Sequence, residues 1–172
     1  HYLLRSARYT EWGRKYGYDV ITDPDTFRKR VPLQDYEDVK PFIQRLRNGE
    51  QNLLWPTDMK WFAKSSGTTG DRSKFIPVSR EALEDCHYKA GKDLIALHYQ
   101  QYPESKLYQG MSLVVGGSSS IENFRPDAYS GDLSAIIIRN LPLWVEVRRT
   151  PVIETALLDN WEVKIEQMAR ET

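Results

Sequence analysis

The sequence has 172 residues, a length that suits one domain with a real core. Its 40% hydrophobic and 28% charged residues are ordinary for a globular chain. Lys plus Arg number 24 and Asp plus Glu also 24, so the formal charge is zero, which argues against a nucleic-acid binder or a protein held on an anionic membrane.

In chain order, the first stretch reads as helices. Residues 2–16 are rich in Leu, Arg and Ala and stop near Gly17, a usual terminator. Asp23 and Pro24 cap and start a short helix carrying Phe27 and Val31, which Pro32 ends. Pro41 starts another, with Phe42, Ile43 and Leu46 on one side and Gly49 after it. These short helices are expected to pack as a surface layer, so residues 1–56 are taken as a helical leading segment.

The pattern then changes. Residues 60–63 (KWFA) read as a strand and residues 75–78 (FIPV) as another. Ser79 is a good N-cap, and Glu81 sits in the first turn, where the helix dipole favours negative charge. A long helix over residues 80–101 is predicted, with Leu83, His87, Ala90, Leu94, Leu97 and Gln101 near one stripe and Pro103 past its end. Residues 111–115 form a buried-strand candidate running into Gly116, Gly117, Ser118, Ser119 and Ser120, which are read as a turn rather than as a site lining. Residues 132–138 form a second strand candidate. Residues 151–158 and 160–170 read as helices, the latter with Trp161, Ile165 and Met168 at helical spacing. Alternating strands and helices point to an α/β sheet architecture over residues 57–172.

The longest apolar runs fall far short of the roughly 20 residues needed to cross a bilayer, and no signal-peptide core follows the first residues. Cys86 is the only cysteine, so no intrachain disulfide is expected and a reducing, cytoplasmic setting is the natural reading. Cys86 reads as a helix residue rather than a nucleophile. His98 and the tryptophans read as packing and surface residues. The chain begins at His1 without a methionine and ends inside a helical pattern at Thr172, so a fragment of a longer protein is expected.

Chemistry concentrates between the two strands. Ser65, Ser66, Gly67, Thr68, Thr69 and Gly70 are consecutive, small and mostly hydroxylated, and Lys74 follows. Glycine lets backbone N–H groups turn inward and a ligand approach closely, and each hydroxyl adds a donor. Lys74 brings a full positive charge on a flexible stem. Hydrogen bonds to charged groups contribute roughly 1.5–3 kcal/mol each, so a few converging donors hold a polyphosphate usefully. The same composition also fills plain surface turns, and the flanking hydrophobic strands favour the phosphate reading. It is not a P-loop, because the spacing GxxxxGK[ST] is absent.

The segment KWFAKSSGTTGDRSKFIPVS resembles the ATP/AMP-binding motif of the adenylate-forming superfamily. In particular it resembles the Gretchen Hagen (auxin-responsive) acyl-acid amido synthetase family, its bacterial type included. PLQDYEDVKPFIQRLRNGE before it, and GDLSAIIIRNLP and DNWEVKIEQMA after it, share the likeness, which covers nearly the whole chain. Common acyl-CoA synthetases have Pro-Lys soon after the second glycine; here Asp71, Arg72 and Ser73 intervene and lengthen the loop, as in the amido synthetases.

The resemblance implies the N-terminal part of the large domain of an adenylate-forming enzyme, an α/β fold with a mixed sheet and packed helices. It implies a ligase that uses ATP and Mg²⁺, with a small-molecule carboxylic acid and an amine, usually an amino acid, as partners. Acyl-AMP forms first, and the amine then displaces AMP. Lys74 takes the catalytic role and Ser65 to Gly70 bind the nucleotide. The long helix contributes to the acid pocket through Glu84 and Tyr88, or through Leu83 and His87 on the neighbouring face. No protein metal ligand is implied. Tyr129-Ser130-Gly131-Asp132 looks like the family's late nucleotide motif but stands too early in the chain and is set aside. The family's adenine, ribose and hinge motifs are missing, so residues 1–172 alone are expected to be inactive. A carboxylate–CoA ligase of the same superfamily and a non-catalytic nucleotide- or acyl-binding module stay open as alternatives.

Overall fold

At the N-terminus two short helices stand where a single one was expected. This computed structural model describes residues 1–65, 73–107, 109–114 and 121–171. Helix α1 (Tyr2–Ala7) ends and α2 (Glu11–Tyr16) begins around Thr10, whose extended backbone breaks the run. The Thr10 hydroxyl donates to Ala7 O at 2.7 Å and accepts from Gly13 N at 3.0 Å, closing one helix and capping the next. The second helix folds back so tightly that a Cβ on Gly13 would lie 2.0 Å from Ala7 O. Gly17 ends α2 in the left-handed conformation at φ 64°, as expected of a glycine there. The first N–H groups of α2 are taken by chain ahead of the sheet: Glu11 N donates to Asn52 O and Trp12 N to Leu53 O.

Helix α3 (Pro24–Arg30) follows the reading closely, with Asp23 accepting from Asp25 N and Thr26 N. Helix α4 (Tyr36–Arg47) starts earlier than Pro41. A reciprocal capping box between Asp35 and Asp38 nucleates it and offsets the backbone bond that Pro41 removes inside the helix. Ile43 and Leu46 point from α4 into a core with Leu53, Met59 and Phe62, of which Leu46 and Phe62 are fully buried.

Phe62 belongs to the sheet, which has strand order β2-β1-β5-β4. Strand β1 (Trp61–Lys64) pairs antiparallel with β2 (Phe75–Val78) and parallel with β5 (Ala128–Gly131), and β5 pairs antiparallel with β4 (Glu122–Arg125). The sheet is therefore mixed. Neither β4 nor β5 is expected from the sequence; each is only four residues long, and Pro126 and Asp127 join them. That turn is a tight hairpin, with Asp127 at φ 59°.

The other face of the sheet carries Ala63 and Val78, covered by Leu83 and Ile136. Ile136 lies in helix α6 (Leu133–Arg139), which corrects the strand expected over residues 132–138. Ala135, Ile136 and Ile138 are buried and Ile137 packs beside them. A helix apolar nearly all round gives the same unbroken hydrophobic run as a buried strand, and periodicity does not separate the two.

Ser79 caps the long helix as read, its hydroxyl accepting from Ala82 N at 3.0 Å. The helix opens with a π-helical segment (Ala82–Tyr88) and continues as α5 (Lys89–Gln101). Its expected stripe is only partly a core: Leu83 is buried, whereas Leu94 and Leu97 are 70% and 62% exposed. The buried strand expected over residues 111–115 is a two-residue exposed strand, β3 (Ser112–Leu113), lying parallel to β6 (Arg149–Thr150). Helix α7 (Leu143–Glu146) precedes β6, and α8 (Ile153–Ala156) is shorter than read. In α9 (Trp161–Glu171) the buried residue is Lys164, while Trp161 and Ile165 face outward. Among the described residues no helix is long and apolar enough to cross a membrane.

Candidate functional site

The β1–β2 hairpin brings the predicted loop to one end of the sheet. Lys64 stands opposite Phe75, and beyond them Ser65 N donates to Lys74 O at 2.9 Å while Lys74 N donates to the Ser65 hydroxyl at 3.3 Å. These two bonds close the neck. Ser66, Gly67, Thr68, Thr69 and Gly70 lie outside the described residues, as do Ser118, Ser119 and Ser120. Parallel pairing of β1 with β5 places Gly131 opposite Ala63, so the carboxyl ends of both strands meet at the neck. In open α/β sheets that is the edge where ligands bind.

Helix α4 holds the neck from outside. The Tyr36 phenol accepts from Phe75 N at 3.0 Å and lies 3.4 Å from Phe75 O, to which it donates. The Lys74 ammonium is 5.3 Å from the centre of the Tyr36 ring, and its side chain is exposed. From the last turn of α4, the Arg47 guanidinium lies 3.7 Å from the Phe75 ring centre and 4.7 Å from that of Phe124. With a helix expected to start at Pro41, Tyr36 falls outside it and carries no expected role. The Asp35-x-x-Asp38 spacing was the available signal: it sets the helix start and makes Tyr36 its first residue.

Glu84 and Tyr88 sit elsewhere. Both line a cleft of about 540 Å³ with Thr57, Lys60, Trp61 and Arg80, beside the Trp61–Val78 end of the hairpin. The neck is at the other end, about 10 Å away at ~3.3 Å per strand residue. Glu84 is exposed and paired with Arg80 at 2.7 Å. Tyr88 is half-buried; its hydroxyl donates to Ile137 O at 3.1 Å, and burial pushes the phenol up to about 12. Tyr88 also shares a wall with a second, mostly apolar cavity of about 260 Å³, lined by His87, Ile95, Leu107, Val114 and Trp144 among others. The structure thus joins Tyr88 to both candidate faces of the helix, Glu84 on one side and His87 on the other. Leu83 is buried against the sheet.

A family model described as the GH3 family N-terminal domain matches residues 1–172, the whole chain. The chain belongs to the GH3 family. Among curated GH3 relatives, the jasmonoyl–L-amino acid synthetase JAR6 of Nicotiana attenuata is 36% identical over 83 residues, which is 48% of this chain and 14% of that protein. The indole-3-acetic acid-amido synthetase GH3.2 of Arabidopsis thaliana is 37% identical over 83 residues, 48% of this chain and 15% of that protein. The chain therefore spans only a small part of these relatives' length. Among solved structures, the GH3.15 acyl acid amido synthetase superposes with a TM-score of 0.69 over 92% of this chain and 27% of its own, at 21% identity. That likeness is one of fold, and it agrees with the α/β architecture and mixed sheet expected of an adenylate-forming large domain.

Proposed function

We propose that this GH3 chain supplies the phosphate hairpin and part of the acid pocket of an ATP-dependent acyl-acid amido synthetase. The observation that carries the proposal is the closed hairpin neck, with Lys74 exposed beside it, in a chain of this family. Backbone N–H groups and hydroxyls from Ser65 to Gly70 would cradle the triphosphate, and Lys74 would add the charge.

The reaction balances in two steps. A carboxylate oxygen of the acid attacks the α-phosphorus of ATP; the bond from that phosphorus to the bridging oxygen breaks, and pyrophosphate leaves with the electron pair. An amine nitrogen then attacks the acyl carbon, loses a proton, and the acyl carbon–oxygen bond breaks to release AMP. Neither step needs a protein nucleophile; placement and charge stabilisation suffice. Magnesium, when bound with the nucleotide, would neutralise phosphate charge. Among the described residues no group of three or more His, Cys, Asp or Glu is placed to hold a metal ion, and phosphate oxygens would be its main ligands.

For the acid, the two relatives are named for indole-3-acetic acid and a jasmonoyl group, both with apolar bodies. The cavity walled by Ile95, Val114 and Trp144 suits such a body, with Tyr88 at its rim. Amino acids are the proposed acceptors.

The test uses the full-length protein. Acid-dependent ATP–pyrophosphate exchange is expected with apolar carboxylic acids, followed by an amide product when amino acids are added. A thioester with coenzyme A and no amide would replace this reading with a CoA ligase. Absence of exchange with any acid would leave a binding module.

A further inference from the structure

Tyr36 bonds the backbone of Phe75, the residue after Lys74, and presents its ring to the Lys74 ammonium. We infer that Tyr36 is a positioning residue that holds the Lys74 ammonium at the loop neck, an inference that rests on the phosphate role proposed for Lys74.

The first grip runs through the backbone. Strand β2 is at the edge of the sheet, so one side of it has no neighbouring strand. The Tyr36 hydroxyl takes both groups that Phe75 presents there, accepting from its N–H and donating to its C=O. Phe75 follows Lys74 directly, so the bond to its N–H fixes the peptide that joins Lys74 to Phe75. The second grip is the ring. With the ammonium 5.3 Å from the ring centre, the negative face of the phenol attracts the cation.

Tyr36 is itself well anchored. It is the first residue of α4, and both bonds of the capping box meet beside it: Asp38 N donates to Asp35 at 3.1 Å and Asp35 N to Asp38 at 2.9 Å. The ring also packs against the core that contains Phe62. A long, mobile lysine is thereby tethered before nucleotide arrives, which lowers the conformational cost of aiming it.

This arrangement predicts a specific kinetic pattern. If Lys74 stabilises charge on the departing pyrophosphate, a residue that aims Lys74 should affect turnover rather than ATP affinity. In the full-length protein, Tyr36→Leu removes ring and hydroxyl and is expected to lower kcat for acid-dependent pyrophosphate exchange by roughly 10- to 100-fold, with KM for ATP changed less than about threefold. Tyr36→Phe keeps the ring and is expected to lose only roughly three- to tenfold. In a Lys74→Ala background, Tyr36→Leu should cost less than about twofold more, because its effect passes through the lysine. Circular dichroism on each variant checks the fold, and Tyr36→Phe carries the test if Tyr36→Leu is unfolded.

Full additivity of the two substitutions, or an unchanged kcat in a folded Tyr36 variant when Lys74→Ala is impaired, overturns the inference and leaves the Lys74 role standing. A silent Lys74→Ala overturns the Lys74 role itself and this inference with it.

Discussion

The helices on either side of the β1–β2 hairpin treat their apolar stripes in opposite ways. Helix α4 buries its stripe: Ile43 is 5% exposed and Leu46 0%, both against the Phe62 face of the sheet. Helix α5 leaves its stripe open, with Leu94 70% and Leu97 62% exposed. Both stripes have helical spacing, so spacing alone reports that a face exists and not what covers it. The buried side packs at the loop neck through Tyr36, Phe75 and Arg47, whereas α5 reaches only the apolar cavity, through Gly91 and Ile95 rather than through its exposed leucines.

The buried side is most sensitive at its centre. Phe62→Ala should cost about 3–5 kcal/mol of stability, because a fully buried ring leaves a cavity that the sheet and α4 cannot close. Leu97→Ala should change stability by no more than about 0.5 kcal/mol. Urea unfolding of residues 1–172 checks both, and a cost of several kcal/mol at Leu97 would mean that the α5 stripe is packed after all.

A smaller effect is expected where the open helix begins. Ser79→Ala removes the side-chain acceptor for Ala82 N and should cost about 1 kcal/mol in the same measurement. The cap lies at the end of the hairpin away from the neck, so the variant should leave the loop chemistry unchanged.

The smallest effect concerns Tyr88, which ties the π-helical segment to α6. Burial raises its phenol to about 12, so it should be among the last tyrosines to ionise. The folded state holds this proton more tightly than the unfolded chain does. Its contribution to stability is therefore complete below the ordinary tyrosine value near 10 and is lost as pH rises towards 12. Ultraviolet titration should show an ionisation near pH 12 that Tyr88→Phe removes. Titration of Tyr88 at the ordinary value would place the ring in solvent.

How much of this was legible in the sequence follows the kind of signal each element carries. Asp23-Pro24, Ser79 and the FIPV strand were readable because cap chemistry and β-branched runs act locally. The strands that flank the loop were readable from their apolar runs, whereas the roles given to Ser65 to Gly70 and Lys74 rest on composition and likeness and stand as proposals. Helix α6 was not readable, because three adjacent isoleucines satisfy a strand pattern as well as a helix buried on most sides. Strands β4 and β5 escaped because each is short and the pairing of β5 with β1 is non-local. Tyr36 escaped for a related reason: its partners Phe75 and Lys74 are far along the chain, and no local pattern marks a contact of that range.

Lys74 is proposed to act on the nucleotide's phosphates from the hairpin neck. The most direct test of that role is Lys74→Ala in the full-length protein, followed by acid-dependent ATP–pyrophosphate exchange and by ATP binding. Removing one such donor should lower the adenylation rate by about a hundred- to a thousandfold, or roughly 2.7–4 kcal/mol, while ATP binding weakens much less. An unchanged rate in a well-folded variant would make Lys74 an exposed hairpin residue with no part in the chemistry.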